Sequence, residues 1–157
     1  FLIPLALFLY HWLSSANNPF AQLYTISGYT YMLLGAAGSA ILAAAWPFLM
    51  EQYAATQEVA LITDFQVVTA IAETGLHGVI QNFAGAVWFL GIGSLLRQKR
   101  ATLGIVAMVV GGFLLLNTLG NMFNLEALSL IGLTANILIG PIWTIWIGVT
   151  LLGKNNA

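Results

Sequence analysis

Four stretches of this chain are long and apolar enough to cross a bilayer, and nothing else in the sequence constrains its fold as strongly. They run from about Ser27 to Met50, within a longer helical stretch from Asp64 to Leu96, from Ala101 to about Met122, and from about Leu128 to Leu152. A transmembrane helix needs about 20 mostly apolar residues. The exterior leaves no other solvent, since only 6% of the 157 residues are charged, against about 25% in soluble domains. The sequence therefore predicts an all-α polytopic transmembrane helix bundle, with four full spans and a short N-terminal apolar segment, Phe1–Leu13. No repeat or low-complexity tract interrupts it, so residues 1–157 read as a single membrane domain.

Local signals mark the ends of the spans. Thr63 and Gln66 have capping-box spacing, with Asp64 in the first turn, where the helix dipole favours an anion. Arg97, Gln98, Lys99 and Arg100 form the basic cluster and separate two spans. Gly153 followed by Lys154 fits a helix C-terminus. Tyr24, Tyr29 and Tyr31 at one end of the first span, and Trp46 at the other, fit an interfacial aromatic belt. The positive-inside rule puts the Arg97–Arg100 turn in the cytoplasm, together with the C-terminus. The Glu51–Thr63 loop and the Phe123–Ala127 turn then lie outside, and Ser14–Ile26 lies inside. A bacterial-type inner or plasma membrane fits this arrangement.

Phe1–Leu13 reaches only about 20 Å as a helix, short of a ~30 Å hydrocarbon core. It reads as a short in-plane helix or as the end of a truncated span. The small residues Ser14-Ser15-Ala16 imitate a signal cleavage region. A cleaved leader, however, would reverse the topology and throw the basic turn outside. The remnant of a span is the preferred expectation.

Close helix packing in lipid favours small residues. Gly35, Ser39 and Ala43 form one such stripe, and Gly132, Asn136 and Gly140 form another. Both are expected to face another helix, either within the chain or in a partner. Pro141 removes a backbone donor near the middle of the last span and predicts a static kink.

Glu73, His77 and Gln81 stand at i, i+4 and i+8, on one helical face, with Asn82 adjacent. Asn117 and Asn121 approach the same outer end from the third span, and Asn136 enters from the fourth. Three readings compete for this polar cluster. Glu73 and His77 could exchange a proton while the amides bind a small polar ligand, because ionisable groups in membrane spans are functional suspects. His77 could ligate a metal or pigment through a neutral imidazole. The amides could simply join helices, with the Glu–His pair among hydrated headgroups. The third is the expected one. One His and one Glu make a poor zinc site, where three protein ligands are usual, so no metal site is assigned. His11, beside Trp12, reads as interfacial.

Several functions are excluded. The net charge of −1 offers no basic face for nucleic acid. The absence of cysteine excludes disulfides and thiolate metal sites. There is no lysine within a span for a retinal Schiff base, no arginine series for voltage sensing and no glycine-rich phosphate loop.

Between Gly85 and Gly153 the chain carries Trp88-Phe89-Leu90 before the basic turn, then Leu103-Gly104, Leu119-Gly120, and Pro141-Ile142-Trp143 with Trp146. In these motifs the second half resembles uncharacterised small multi-helix bacterial membrane proteins. The resemblance implies a small membrane bundle and carries over no functional residue.

The leading expectation is a non-enzymatic integral membrane subunit, packing against other membrane subunits or a second copy, with lipid or pigment between them. No other cofactor is expected, and no catalytic residue is assigned. The alternative is a small-solute carrier or membrane-embedded binding protein using the outer polar cluster. A membrane enzyme with His77 and Glu73 as acid and base ranks third. The topology is directly testable on this cysteine-free chain. In intact cells an impermeant thiol reagent should label Gln57→Cys and spare Lys99→Cys; the reverse pattern overturns the assignment.

Overall fold

A computed structural model describes residues 2–13 and 19–152. The described residues form five helices and no strand: α1 (Leu2–Leu13), α2 (Pro19–Thr56), α3 (Val59–Lys99), α4 (Ala101–Met122) and α5 (Glu126–Leu152). Helices α2 to α5 are each long and apolar enough to cross a membrane. The chain is a membrane-type helix bundle. The Ser14-Ser15-Ala16 and Gly153-Lys154 signals lie outside the described residues.

The connections are short, each for a local reason. Gln57 takes a left-handed conformation (φ 57°), and its backbone N–H donates to the Tyr53 carbonyl at 2.8 Å, closing α2. Helix α3 therefore starts at Val59. The expected Glu51–Thr63 loop contracts to two residues, and Thr63 and Asp64 lie inside the helix. The capping-box spacing was met by residues that cap nothing, because the chain reverses earlier at Gln57. Arg100 alone links α3 to α4, in an extended conformation (φ −148°) with its N–H on the Leu96 carbonyl at 2.7 Å. Asn124 (φ 55°) turns α4 into α5; asparagine tolerates the left-handed region better than most residues. Helix α5 continues through Pro141.

Helices α3 and α4 form the centre, with α2 packed on α3 and α5 packed on α4. Among the described residues, the backbones of α2 and α5 make no close approach, so a gap separates these two flanking helices. Helix α1 lies against α2 and α3. Its C-terminal end is held at the basic turn, where Lys99 Nζ donates to the Trp12 carbonyl at 2.7 Å and sits 5.3 Å from the Trp12 ring centre. Helices α1 and α3 thus run in the same direction.

Glycines set the spacing. A Cβ on Gly104 would lie 2.6 Å from the Gly93 carbonyl oxygen, which no real side chain tolerates, so α3 and α4 meet backbone to backbone. Trp88 lies over Gly28, and Tyr31 lies over Gly85. Around these contacts the core is aromatic. Trp88, Phe89 and Trp143 are buried, with ring centres 4.7 Å (Trp88–Phe89) and 5.2 Å (Phe89–Trp143) apart. Trp143 also donates to the Leu103 carbonyl at 3.0 Å, tying α5 to the start of α4.

The neighbours along α2 and α3 fix their register. Gly28 faces Trp88, Gly35 faces Gln81 and Gly38 faces His77, while Gly78 faces Asn121 at the end of α4. The part of α2 level with α4 therefore lies below Gly38 and begins near Pro19, closer to the basic turn than the expected Ser27–Met50. Beyond that level, Val59–Thr69 packs only on α2 and on the segment that follows it. There Trp46 donates to Thr69 Oγ1 at 2.9 Å and stacks on Phe65. Trp46 thus joins two helices.

The glycine contacts make unequal predictions. Gly104→Leu should lower the melting temperature in mild detergent, since overpacking costs about 1–3 kcal/mol. Gly112→Leu, at a position with nothing within 4 Å, should leave it unchanged. Equal effects would mean the α3–α4 contact is looser than described.

Candidate functional site

Residues Ala70–Gln81 of α3 are wound as a π-helix, with i→i+5 hydrogen bonds in place of i→i+4. Such windings are rare and frequently accompany functional sites. This one carries Glu73, His77 and Gln81, and its end is visible at Asn82, whose N–H reaches the His77 carbonyl five residues back. The wide turn delivers two long polar side chains onto α2, where glycine leaves room for both: His77 over Gly38 and Gln81 over Gly35. His77 Nδ1 and Gln81 Oε1 are 2.5 Å apart. Because Oε1 can only accept, this bond puts the ring proton on Nδ1. Gln81, not Glu73, orients the imidazole.

Asn117 is the second organising residue. It is 2% exposed. Its Oδ1 accepts from Asn82 Nδ2 at 2.5 Å and from Asn121 Nδ2 at 2.9 Å, and its Nδ2 donates to the Ser129 carbonyl at 2.8 Å. One amide thus stitches α3, α4 and α5 together. Gly132 makes this possible, since a Cβ there would fall 2.5 Å from the Asn117 backbone nitrogen. Asn136 on α5 and Tyr31 on α2 border the same space from opposite sides of the gap.

Around these groups lies an open cleft of about 450 Å³. Its floor is α3 and α4, and its walls are α2 and α5. All seven residues of the expected cluster border it: Glu73, His77, Gln81, Asn82, Asn117, Asn121 and Asn136. Glu73 is exposed at the rim. Among the described residues, no group of three His, Cys, Asp or Glu side chains could hold a metal ion.

The helix-packing residues divide. Gly35 and Gly132 sit against other helices as expected. Ser39 and Ala43 are exposed in this chain, and a Cβ on Gly140 would meet nothing but Asn136 Oδ1 of its own helix, at 3.4 Å. The contacting stripe on α2 is instead Gly28, Gly35 and Gly38, at i, i+7 and i+10. Tyr31, Gly38 and Ser129 belong to the site without having been singled out for it. The glycine spacing on α2 could have revealed Gly38. Tyr31 resembled a belt residue, yet it packs between Gly85, Trp88 and Phe89.

The Asn117 contacts predict a measurable coupling. Asn117→Leu should destabilise the bundle, since the Ser129 carbonyl and two amides lose a partner, at about 1–3 kcal/mol for an unpaired buried polar group. Adding Asn82→Leu should cost less than the sum of the single effects, because these residues satisfy each other. Additive losses in a denaturation series would show that the pair is not coupled.

Comparison with family models, characterised proteins and solved structures returned no match to this chain.

Proposed function

We propose that this chain is a membrane-embedded binding protein that takes a small hydrogen-bonding ligand into the cleft between α2 and α5. One observation carries the reading: the polar residues of three helices gather around one open cleft in place of closing it. Asn117 is buried and engaged by Asn82, Asn121 and Ser129 within the fold. Glu73 is exposed at the rim of the same cleft, and Gln81 and Asn136 line it beside the His77 ring. Amides that served only to join helices would need no cleft between them. His77 is held by an amide, which orients the ring without relaying a proton, so binding fits this geometry better than acid–base chemistry. With the Arg97–Arg100 turn in the cytoplasm of a bacterial-type inner or plasma membrane, the cleft opens in the outer half of the bilayer.

A second reading rests on a different observation. Phe48, Val59, Val67 and Ile71 are exposed on the hairpin formed by the end of α2 and the start of α3. An accessory subunit would cover this surface with a partner chain. The two readings are compatible, since the hairpin and the cleft use different residues.

Native mass spectrometry of the detergent-extracted protein tests the binding reading. The wild type should carry a bound small molecule that the Gln81→Leu, Asn136→Leu double variant lacks. Suppose instead that the wild type carries none, and that a panel of uncharged polyols and amides raises its melting temperature no more than the variant's. The binding reading then falls.

A further inference from the structure

The gap between α2 and α5 continues past Tyr31 and Asn136. Beyond this pair lies a second space of about 480 Å³, bordered by Phe89 on α3 and by Ile137, Gly140, Pro141 and Ile145 on α5. Tyr31 and Asn136 border both spaces and form a waist between them. The first space is lined by amides, a carboxylate and an imidazole. The second is lined mainly by hydrocarbon.

Resting on the binding reading above, we propose that the ligand is an amphiphile with a single alkyl chain and an uncharged, hydroxyl-bearing head. The head lies among Gln81, His77 and Asn136, and the chain runs past the Tyr31–Asn136 waist along α5. Three features lead there. The polar space lies at the level of the α4–α5 turn, and the apolar space continues towards the middle of the bundle, the same polarity sequence as a lipid in a leaflet. Both spaces are open rather than enclosed, and no backbone of α2 approaches α5 among the described residues. A ligand can therefore arrive sideways from the bilayer.

The third feature is charge. Among the described residues, no lysine or arginine borders either space, and the one carboxylate there is Glu73. A phosphate or carboxylate head would meet like charge with no cation to offset it. Hydroxyls can donate to Asn136 and Gln81 and accept from them. From Asn136 to Ile145 the groove follows about 14 Å of helix at 1.5 Å per residue, room for a medium-length alkyl segment. Gly140 keeps it open, since a Cβ there meets only Asn136 Oδ1 at 3.4 Å.

The test uses the full chain in phosphatidylcholine nanodiscs, so that bulk phospholipid is always the competitor, with protein-free nanodiscs as the blank. The probes are 1-oleoylglycerol, 1-butyrylglycerol and oleate. 1-Oleoylglycerol should bind at least about tenfold more tightly than either of the others, from burial of its chain beneath an uncharged head. Gly140→Phe should remove that advantage and leave 1-butyrylglycerol binding at the wild-type level, which also reports an intact fold. Gly148→Phe, where nothing lies within 4 Å, should change neither. Equal binding of the two glycerol esters overturns the amphiphile and leaves the binding reading standing. Tighter binding of oleate overturns the assignment of the head. An undiminished chain advantage in Gly140→Phe overturns the groove as the chain site. Failure of both esters to bind overturns the proposal outright.

Discussion

Lipid gives helices no hydrophobic reason to associate, so a membrane bundle depends on how closely its backbones can approach. In this chain the approach is set by side chains seated on glycines of the facing helix. Trp88 on Gly28 and Tyr31 on Gly85 lock α2 and α3 from both sides. Gly93 and Gly104 bring α3 and α4 into direct backbone contact, and Gly132 admits Asn117 between α4 and α5. The site uses the same device. His77 and Gln81 lie between helices because Gly38 and Gly35 have no side chains to exclude them. Packing and site geometry are therefore one arrangement.

Polar groups follow from the same solvent. An amide facing hydrocarbon must find a partner or bear a cost of about 1–3 kcal/mol. Asn117 meets this demand with three residues on three helices. The π-helical turns of α3 meet it differently, with His77 and Gln81 hydrogen-bonded to each other along one face. A straight α-helix at this position would keep the residues but change where their tips fall on α2. The winding and the paired glycines on α2 are parts of the same solution.

Much of this was legible in the residues. Helices α4 and α5 coincide closely with their apolar stretches, because the basic turn and Asn124 delimit them sharply. All seven polar residues gather around one cleft, since i, i+4 spacing on two helices survives a modest change in winding. The α2–α3 end was not legible. Thr63 and Gln66 imitate a helix start, while the actual reversal rests on Gln57, whose left-handed conformation leaves no clear mark in composition. Of the stripe Gly35, Ser39, Ala43, only Gly35 meets a helix of this chain: four-residue periodicity drifts around a helix, and Gly28, Gly35 and Gly38 follow the face that meets α3. Tyr31 escaped notice because an aromatic near a span end looks the same whether it faces lipid or core.

Helices α3 and α4 also differ greatly in length. At 1.5 Å per residue, the 22 residues of α4 make about 33 Å, while the α-helical parts of α3 alone, 11 and 18 residues, make about 44 Å before its π-helical turns are added. A hydrocarbon core is ~30 Å thick, so one slab cannot match both. A bilayer fitted to α4 leaves Phe48, Val67 and Ile71 standing in or beyond the headgroups, where apolar area is penalised by about 25 cal/mol per Å². A bilayer fitted to α2 and α3 stretches around the short pair, at a fraction of a kcal/mol per Å of mismatch. The molecule thus feels two opposed elastic demands, one on each side of its own cross-section. Membrane thickness becomes a thermodynamic variable for this protein: the long pair draws it towards thick bilayers and the short pair towards thin ones.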